Sequence, residues 1–370
     1  MNKYKICVYA ICKNEEKFVD KWMASMGEAD EIIVTDTGSD DGTVEKLRQH
    51  GATVYVDEIN PWRFDKARNI SLDHVPEDAD ICVCTDLDEA FEAGWRKKLE
   101  KAWSGYHSAK RKEVALSGRY LYNWSLKPNG TPDVQFNYFK IHERHGFLWR
   151  CPVHEYIEYW GDKIHDTVYI EGMVLNHYPD PAKSRGSYLP LLEMAVREAP
   201  ADDRMRYYLG REYMYKGQWQ DCINTMTAYL ALPTAKWNEE RCAAIRWMAK
   251  SLKMLKRIDE AYKWYCKAIA EAPHMRDPYV EFAKMCYELE DWPMVLYMSE
   301  EALKIKSKSP IYVNMGYSWD HTPNDLAAIA SYRLNRMEKS LEHARLALEF
   351  SPDNERLKGN LELIKKACGA

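Results

Sequence analysis

Three acidic residues follow a short hydrophobic run in the segment ICVCTDLDEAF, residues 81–91. Asp86, Asp88 and Glu89 place their carboxyl groups close together at the end of this predicted strand. Carboxylates in such a position suit a hard divalent cation. The alternative is a solvated strand end whose acids also cap the next helix. We assign the capping role to Glu89 and keep the two aspartates as candidates for chemistry.

Polar residues also follow the first two predicted strands. Cys12, Asn14 and Glu15 lie at or just after the end of YKICVYAIC, and Asp36 ends EIIVTD before the turn-rich TGSDDGT. Ligands of an open parallel sheet bind outside the carboxyl ends of its strands. Polar clusters that follow three separate strands therefore predict a binding site at one sheet edge.

The motifs that are missing narrow the class of ligand. The first predicted strand is not followed by G-x-G-x-x-G, and the chain has no G-x-x-x-x-G-K-[ST], so a dinucleotide site of the usual type and a P-loop are disfavoured. A carboxylate can accept hydrogen bonds from a base or a ribose, but it repels a diphosphate. A nucleoside diphosphate beside these acids needs a divalent cation, and Mg²⁺ or Mn²⁺ fits because carboxylates and phosphate oxygens hold both.

The elements that position these residues alternate between strand and helix up to about residue 180. Strands are predicted at residues 4–12, 31–36, 52–58 and 79–88, and helices at 14–29, 39–51, 65–75 and 93–103. This alternation predicts a parallel sheet with right-handed crossovers. Four further strand-like stretches predict a mixed or antiparallel extension, at residues 113–124, 133–142, 147–159 and 167–178.

The second half of the chain repeats a helical pattern. Four stretches resemble tetratricopeptide units, at residues 208–233, 245–273, 279–305 and 327–352. The first carries a Leu-Gly-x-x-Tyr centre, the second has the expected small, aromatic and terminating positions, and the last two continue the pattern. Such helix pairs stack into a solenoid. A generic helical bundle is the alternative. Residues 310–323 interrupt the repeat spacing, and they are either a recognition loop or a simple long connection.

Composition excludes several other classes of protein. The chain has 46% hydrophobic and 29% charged residues and a net charge of −5 without a basic block, so nucleic acid is not an expected partner. The N-terminal apolar run is too short for a membrane span and has no signal-peptide cleavage pattern. The ten cysteines form no C-x-x-C pair, which favours reduced thiols and a cytoplasmic location.

The sequence resembles family 2 glycosyltransferases of the GT-A fold. YAICKNEE, EIIVTDTGSDDGT, FDKARNIS and TDLDE occur in that order, and LWRCPVHEYI and LNHYPDPAKSRGSYLPLLEMAVREAPADDRMRYYLGREY follow. The later motifs resemble the bacterial branch with C-terminal tetratricopeptide repeats, which includes sublancin-type peptide S-glycosyltransferases. The resemblance implies a Rossmann-like α/β transferase domain at residues 1–180, a connecting helix at 181–200 and an all-α solenoid at 201–370.

The resemblance also implies roles for individual residues. Asp88 of the D-x-D motif would hold the metal on the diphosphate, Asp86 would face the ribose or the sugar, and Asp36 would accept an N–H of a uracil-like base. Arg68 lies where the family has a basic residue near the donor phosphates, although a helix-surface arginine has the same spacing. The residues that would line the nucleoside belong to the first strand and its following turn: Ala10, Cys12, Asn14 and Glu15.

Transfer of a sugar to a hydroxyl needs a catalytic base. We predict Glu155 of CPVHEYIEYW as the base, with His154 orienting it or the acceptor. Neighbours on a regular strand face opposite sides, so only one of the two should point into the cleft. The alternative is a surface His-Glu pair. His177 is a further candidate, for the metal or the diphosphate, or else a structural histidine. His142, His145 and His165 have no such context and are interpreted as surface residues.

The leading hypothesis is an inverting, metal-dependent hexosyltransferase-type enzyme. It would move a sugar from a UDP-linked donor to a peptide or protein acceptor, with Mn²⁺ or Mg²⁺ as cofactor. The tetratricopeptide groove would hold that acceptor or form a homodimer. One alternative is a transferase acting on surface glycans or the lipopolysaccharide core. The other is a non-catalytic tetratricopeptide scaffold whose transferase half has decayed.

Overall fold

A computed structural model describes residues 3–109, 114–127, 129–180 and 186–369. The chain forms two compact units, Met1–Glu198 and Ala199–Ala370. Each unit has its own elements and its own buried residues, and each is described by itself.

The N-terminal unit is built on an eight-stranded sheet with the order β3-β2-β1-β4-β7-β6-β10-β5. Its strands are β1 Ile6–Cys12, β2 Glu31–Asp36, β3 Thr53–Val56, β4 Ile81–Cys84, β5 Glu89–Phe91, β6 Val114–Leu126, β7 Pro132–His142 and β10 Ile164–His177. The first four strands are parallel, β7 is antiparallel to both β4 and β6, and β10 runs parallel to β6. The predicted parallel core with a mixed extension is confirmed.

The described residues of this unit form five helices: α1 Glu16–Met26, α2 Thr43–Gln49, α3 Phe64–Asp73, α4 Trp95–Ala109 and α5 Tyr188–Glu198. The apolar spacing of the sequence explains why α1 packs on the sheet. Val19, Trp22, Met23 and Met26 recur at helical spacing and are all buried. The C-terminal end of α2 is followed by Gly51 at φ +91, the residue at which the sequence predicted the helix to stop.

The central strand β1 is covered on both faces. All seven of its residues are buried, as expected for a strand inside a parallel sheet. Ile6 and Val8 pack into one hydrophobic cluster with α1, whereas Cys7 and Tyr9 pack into a second cluster on the other face. This alternation follows from the two-residue period of a strand. The alternation determines which side chains near the end of β1 face each of the two hydrophobic clusters.

Two stretches differ from the predicted strands. The stretch at residues 147–159 is broken into β8 Phe147–Arg150 and β9 Tyr156–Tyr159, which pair with each other as a separate two-stranded sheet. Cys151 and His154 have positive φ values of 76° and 52° in the turn between them. In addition, β5 was not predicted, because three residues are too few to show a strand period.

The C-terminal unit is all helical. Four pairs are joined by short turns: α6 Asp203–Tyr215 with α7 Trp219–Leu230, α8 Asn238–Met254 with α9 Ile258–Glu271, α10 Asp277–Glu288 with α11 Trp292–Lys304, and α12 Thr322–Arg333 with α13 Met337–Phe350. The helix α14 Glu355–Ala367 follows the last pair and packs on α13. The first helices of successive pairs lie side by side, α6 on α8, α8 on α10 and α10 on α12. This is the stacked helix-pair repeat that the sequence predicted.

No helix within the described residues is both long enough and apolar enough to span a bilayer.

Candidate active site

The carboxyl ends of β2, β1 and β4 lie next to one another at one edge of the sheet. Cys12 at the end of β1 pairs with Asp36 at the end of β2, and Tyr9 pairs with Cys84 at the end of β4. The acidic segment at residues 86–89 follows β4 directly. Because the three strands are parallel neighbours, their polar ends share one edge, where an open α/β sheet binds its ligands.

Asp36 is buried, and its carboxylate organises its own turn. The backbone N–H groups of Gly38 and Ser39 donate to Oδ1 at 3.0 and 2.9 Å. The Ser39 hydroxyl and the Cys12 thiol donate to Oδ2. With 1% of its surface exposed, Asp36 offers little room to the uracil-like base that the resemblance places on it. The structure gives it the role of shaping the turn.

The turn after β1 is tied to the turn after β2. Asn14, at φ 55°, donates its N–H to Ser39 and accepts from the N–H of Asp40 through its side chain. Glu15 is buried and donates its N–H to Thr43 at 2.8 Å. These bonds hold the two turns together as one surface. Of the predicted nucleoside contacts, only Asn14 has an exposed side chain.

Ala10 does not belong to the site as the structure has it. It lies inside β1 with no exposed surface, and its carbonyl accepts a hydrogen bond from Ser71 at 3.0 Å. Cys12 is 4% exposed. Burial and the nearby Asp36 carboxylate raise the pKa of the Cys12 thiol, so it stays neutral. The resemblance implied contact with the nucleoside for both residues, but burial leaves them without the surface to make it.

Asp86 is held by two cations. Arg68 donates from Nη2 to one oxygen at 2.7 Å, and Lys140 donates from Nζ to the other at 2.8 Å. Burial would raise the pKa of Asp86, but the two positive charges hold it well below its usual range. Its side chain is still 34% exposed. The carboxylate therefore stays ionised, fixed in place and open on one side.

Glu89 does not cap the following helix. It lies in β5, 2% exposed, and accepts hydrogen bonds from the Tyr122 hydroxyl and the Asp86 N–H. The nitrogen of Lys140 lies 3.6 Å from its carboxylate. Burial raises the pKa of Glu89. The capping prediction is wrong because a short strand separates Glu89 from α4, so the residue supports the loop of Asp86 from beneath.

Arg68 joins the D-x-D segment to the predicted base. Its Nε donates to Glu155 at 2.5 Å while its Nη2 holds Asp86. Arg68 is 3% exposed, so it is not a helix-surface arginine. Glu155 is 12% exposed at its side chain. The bridging guanidinium thus fixes the two carboxylates relative to each other.

His154 and Glu155 lie in the turn between β8 and β9 instead of on a strand. The positive φ of His154 breaks the alternation that the sequence predicted. The ring of His154 packs edge-on against Tyr188 at 5.7 Å, while Glu155 contacts Arg68. The two side chains therefore have different neighbours, and Glu155 is the one that bonds to Arg68 of the Asp86 cluster.

Asp88 and His177 form a second pair at the same loop. Nε2 of His177 lies 3.6 Å from Oδ2 of Asp88, and both side chains are mostly buried. Nδ1 of His177 lies 3.0 Å from the carbonyl of Trp124, which can only accept, so Nδ1 carries a proton. Burial would lower the pKa of His177, but the nearby Asp88 carboxylate and the hydrogen bond to the Trp124 carbonyl raise it. When neutral, the imidazole turns a lone pair on Nε2 toward Asp88.

Several residues of this region were not singled out from the sequence. Lys140 carries a buried charge in β7, and its signal was a lysine on the apolar face of a predicted strand. Trp124 stacks on His177 with ring centroids 4.6 Å apart and is 44% exposed. Asn69 exchanges two hydrogen bonds with the backbone of Trp149, which joins α3 to β8. No pattern in the sequence indicated that contact.

His142 is a core residue and not a surface residue. It has no exposed area, and its Nδ1 donates to the carbonyl of Glu143 at 2.7 Å. Its Nε2 therefore accepts from the Tyr9 hydroxyl, which in turn accepts from the indole N–H of Trp149. Burial lowers the pKa of His142 to about 4. The chain of hydrogen bonds ties β1, β7 and β8 together beneath Arg68.

A cavity of about 480 Å³ lies elsewhere in this unit. Tyr4 and Asp80, which line it, precede β1 and β4, so the cavity is at the amino ends of the parallel strands. It does not contain any of the predicted site residues.

The fold and the strand-edge acids define an α/β domain of the class that binds ligands at the carboxyl ends of parallel strands. Residues 7–160 match the family described as Glycosyl transferase family 2. The candidate site therefore lies in a segment that matches family 2 glycosyltransferases.

Several solved structures are similar to part of this chain. MamA from Desulfovibrio magneticus RS-1 has a TM-score of 0.37 and 11% identity, over 45% of this chain and 85% of that one. A thermophilic TPR protein from Thermus thermophilus has a TM-score of 0.35 and 16% identity, over 48% and 88%. Yeast Tom70 has a TM-score of 0.39 and 14% identity, over 51% and 37%.

Proposed function

We propose that this protein is an inverting, metal-dependent glycosyltransferase that moves a sugar from a UDP-linked donor to a peptide or protein acceptor. The observation that carries the proposal is the pairing of Asp88 with His177, beside an ionised Asp86, in a family 2 transferase domain. The helical repeat supports a protein or peptide acceptor, because such repeats commonly bind polypeptides.

Two side chains of the candidate site, Asp88 and His177, are suitable ligands for a divalent cation. No group of three or more His, Cys, Asp or Glu side chains suited to a metal ion occurs in the described part of the chain. Asp88 and His177 would supply two ligands, and a diphosphate and water would supply the others. Carboxylate, phosphate and water oxygens suit Mg²⁺ and Mn²⁺, whereas imidazole suits Mn²⁺ less well than a carboxylate does. When bound, the cation would neutralise the charge of the diphosphate leaving group.

His177 is oriented for this role by its backbone partner. The Trp124 carbonyl holds the proton on Nδ1, so Nε2 is the nitrogen left to bind a metal. The raised pKa of His177 means that metal binding must compete with a proton at Nε2. The exposed Trp124 ring shields one side of the imidazole from water.

Glu155 is proposed as the base. The acceptor's O–H or S–H gives its proton to the Glu155 carboxylate while the acceptor atom forms a bond to the anomeric carbon. The bond from that carbon to the diphosphate oxygen breaks, and its electron pair leaves with the diphosphate. A single displacement inverts the anomeric centre. A thiol acceptor, as in the sublancin-type enzymes that the sequence resembles, would need less help because thiolate forms more readily.

Arg68 and Asp86 are proposed as positioning residues. Arg68 holds Glu155 through Nε and Asp86 through Nη2, so the base has one orientation relative to the D-x-D loop. Lys140 fixes the other oxygen of Asp86. The open side of Asp86 remains for a ribose or sugar hydroxyl. His154, which packs on Tyr188, is proposed to shape the turn that presents Glu155.

The proposed compartment is the cytoplasm. All ten cysteines lie in the described part of the chain and are free thiols, and seven of them are buried. Reduced thiols are typical of a cytoplasmic protein.

Calorimetric titration with UDP tests the metal site. Wild-type protein should bind UDP tightly only with Mn²⁺ present, and Asp88→Asn or His177→Gln should weaken that binding about tenfold or more. Asp162→Asn is the matched control, since Asp162 is exposed in the turn before β10. UDP binding of equal strength with and without Mn²⁺ would contradict the metal site.

A second measurement separates binding from chemistry. Glu155→Gln should keep Mn²⁺-dependent UDP binding while losing transfer to a panel of peptide acceptors followed by mass spectrometry. Retained transfer by this variant would remove Glu155 from the role of base.

A further inference from the structure

Residues 309–319, between α11 and α12, lie against the first helices of the preceding pairs. We call these residues the groove segment. We call the surface that it contacts the first-helix face, which is formed by Tyr207 and Tyr208 of α6, Glu240 and Arg246 of α8, and Asp277 and Glu281 of α10. The groove segment contains a short 3-10 turn, Gly316–Ser318. It is therefore an ordered part of the repeat unit and not a loose connection.

Tyr312 anchors one end of the groove segment. Its ring lies 6.3 and 6.2 Å from the rings of Tyr207 and Tyr208, and 5.4 Å from Trp237. Its hydroxyl donates to the buried Glu240 carboxylate. An aromatic pocket that ends in a carboxylate can accept a hydrogen bond from a phenol hydroxyl, so it is specific for a tyrosine side chain.

The backbone of the groove segment is bound by buried charged side chains. Nη2 of Arg246 donates to the Val313 carbonyl at 3.0 Å, and the Met315 N–H donates to Oδ1 of Asp277 at 2.7 Å. Arg246 and Asp277 have no exposed area. Main-chain bonds of this kind give affinity for a polypeptide whatever its side chains, as in other peptide-binding sites.

The other end of the groove segment has its own anchors. The Tyr317 hydroxyl donates to Glu281 at 2.7 Å, and the nitrogen of Lys284 lies 4.2 Å from the ring centroid of Tyr317. The guanidinium of Arg276 lies 4.1 Å from the ring of Trp319. The contacts therefore extend from Tyr312 to Trp319.

Removing the groove segment would take hydrogen-bond partners away from charged groups of the first-helix face. Arg246 would keep Glu281, to which Nη1 donates at 2.5 Å, but it would lose the Val313 carbonyl. Asp277 would lose the N–H of Met315 and the hydroxyl of Ser318. Unpaired buried polar groups are costly. A tethered segment also competes at an effective concentration of about millimolar or more. A separate peptide would have to overcome both effects.

We propose that the first-helix face is a peptide-binding site that the chain fills with its own residues 309–319. An acceptor or partner peptide is thereby excluded from this face and must contact another surface of the chain. The inference rests on the C-terminal unit alone and is independent of the transferase chemistry. In this proposal the irregular insert is a resident peptide, that is, a segment of the chain that occupies its own peptide-binding site. The aromatic pocket around Tyr312 and the buried charges of Arg246 and Asp277 hold it in place.

Peptide binding in trans tests this directly. A variant with residues 309–319 replaced by a Gly/Ser linker of equal length should bind a labelled peptide of the sequence SPIYVNMGYSW, measured by fluorescence anisotropy. Wild-type protein should bind the same peptide about a hundredfold more weakly, because the site is already filled. A peptide with alanine in place of both tyrosines is the control and should not bind the linker variant. Equal binding by wild type and variant, or no binding by a folded variant, would overturn the proposal.

Hydrogen exchange of the wild-type protein tests whether the groove segment is held on the first-helix face, even if the linker variant does not fold. The amides of the groove segment should exchange as slowly as those of α8, and Tyr312→Phe should speed their exchange because the hydroxyl bond to Glu240 is lost. Rapid exchange of the groove segment in wild-type protein would show an open loop and would rule out a resident peptide.

Discussion

At the residue scale, Lys140 decides the charge state of the candidate site. It is 2% exposed and lies between two carboxylates, with Asp86 at 2.8 Å and Glu89 at 3.6 Å. Burial would lower the pKa of Lys140, but the neighbouring carboxylates raise it well above its usual value. Lys140 and Arg68 together offset the repulsion among the three acidic side chains that follow β4.

Removing the Lys140 charge should therefore destabilise the N-terminal unit. Lys140→Met keeps the apolar stem but leaves the buried Glu89 without its cation, and we expect a loss of about 3 kcal/mol in the free energy of unfolding by urea. Lys163→Met is the control, since Lys163 is exposed. A loss as small as that of the control would mean that Tyr122 and the Asp86 N–H satisfy Glu89 by themselves.

At the scale of elements, the bond chain from Trp149 through Tyr9 to His142 joins three strands. Its direction is fixed because Nδ1 of His142 must donate to a carbonyl. The chain supports β8, whose Trp149 ring lies 5.1 Å from the guanidinium of Arg68. The neutral state of His142 is thus part of what positions Arg68 and, through it, Glu155.

The stability of this unit should fall in mild acid. His142 titrates near pH 6.5 when unfolded, but its pKa in the fold is about 4. Between these values the unfolded chain binds a proton that the fold does not, so this group's contribution to stability falls with decreasing pH and levels off below pH 4. We expect protonation of His142 in the unfolded chain to lower the free energy of unfolding by about 3 kcal/mol between neutral pH and pH 4.

Urea unfolding at pH values between 4 and 7 measures this effect. His142→Gln should flatten the profile in that range relative to wild type, whatever its stability at pH 7. His145→Gln should leave the profile unchanged, because His145 is exposed. An unchanged profile in His142→Gln would mean that other groups cause the acid sensitivity.

The sequence predicted most elements but misjudged some short connections. Short continuous apolar runs marked β1 and β2, and the Val19, Trp22, Met23 and Met26 spacing marked α1. It failed at residues 147–159, where the apolar residues continue through a turn. The backbone at Cys151 and His154 is left-handed and breaks that stretch around Pro152. The proline was the available signal, because it has no N–H to donate to a sheet.

At the scale of the whole molecule, each of the two units has its own cluster of buried charged side chains. The N-terminal unit gathers its acids and two buried cations at the carboxyl ends of parallel strands. The C-terminal unit gathers buried charges on the first-helix face, where the groove segment contacts them. A ligand of the first set should therefore leave the second set unchanged.

Hydrogen exchange of the full chain with UDP and Mn²⁺ can test this separation. Exchange should slow in the turns at residues 36–43 and 86–89, because a ligand that binds the fold opposes local opening. The groove segment should exchange at the same rate with and without UDP. Asp88→Asn is the control and should show less slowing in both turns at the same UDP and Mn²⁺ concentrations. Slower exchange of the groove segment with UDP would contradict independent sites.

The sequence by itself determined the class of each half and the location of the acids. Strand and helix periods are local, so they are visible in the chain, and the carboxyl ends of parallel strands must meet at one edge. Only the tertiary structure decided the partners of those acids. Lys140, Glu155 and Arg68 are far apart in sequence, and the contacts that fix them depend on the strand order and on a turn with positive φ. For the same reason, the sequence marked residues 310–323 as irregular, but only the packing of the helices showed what they contact.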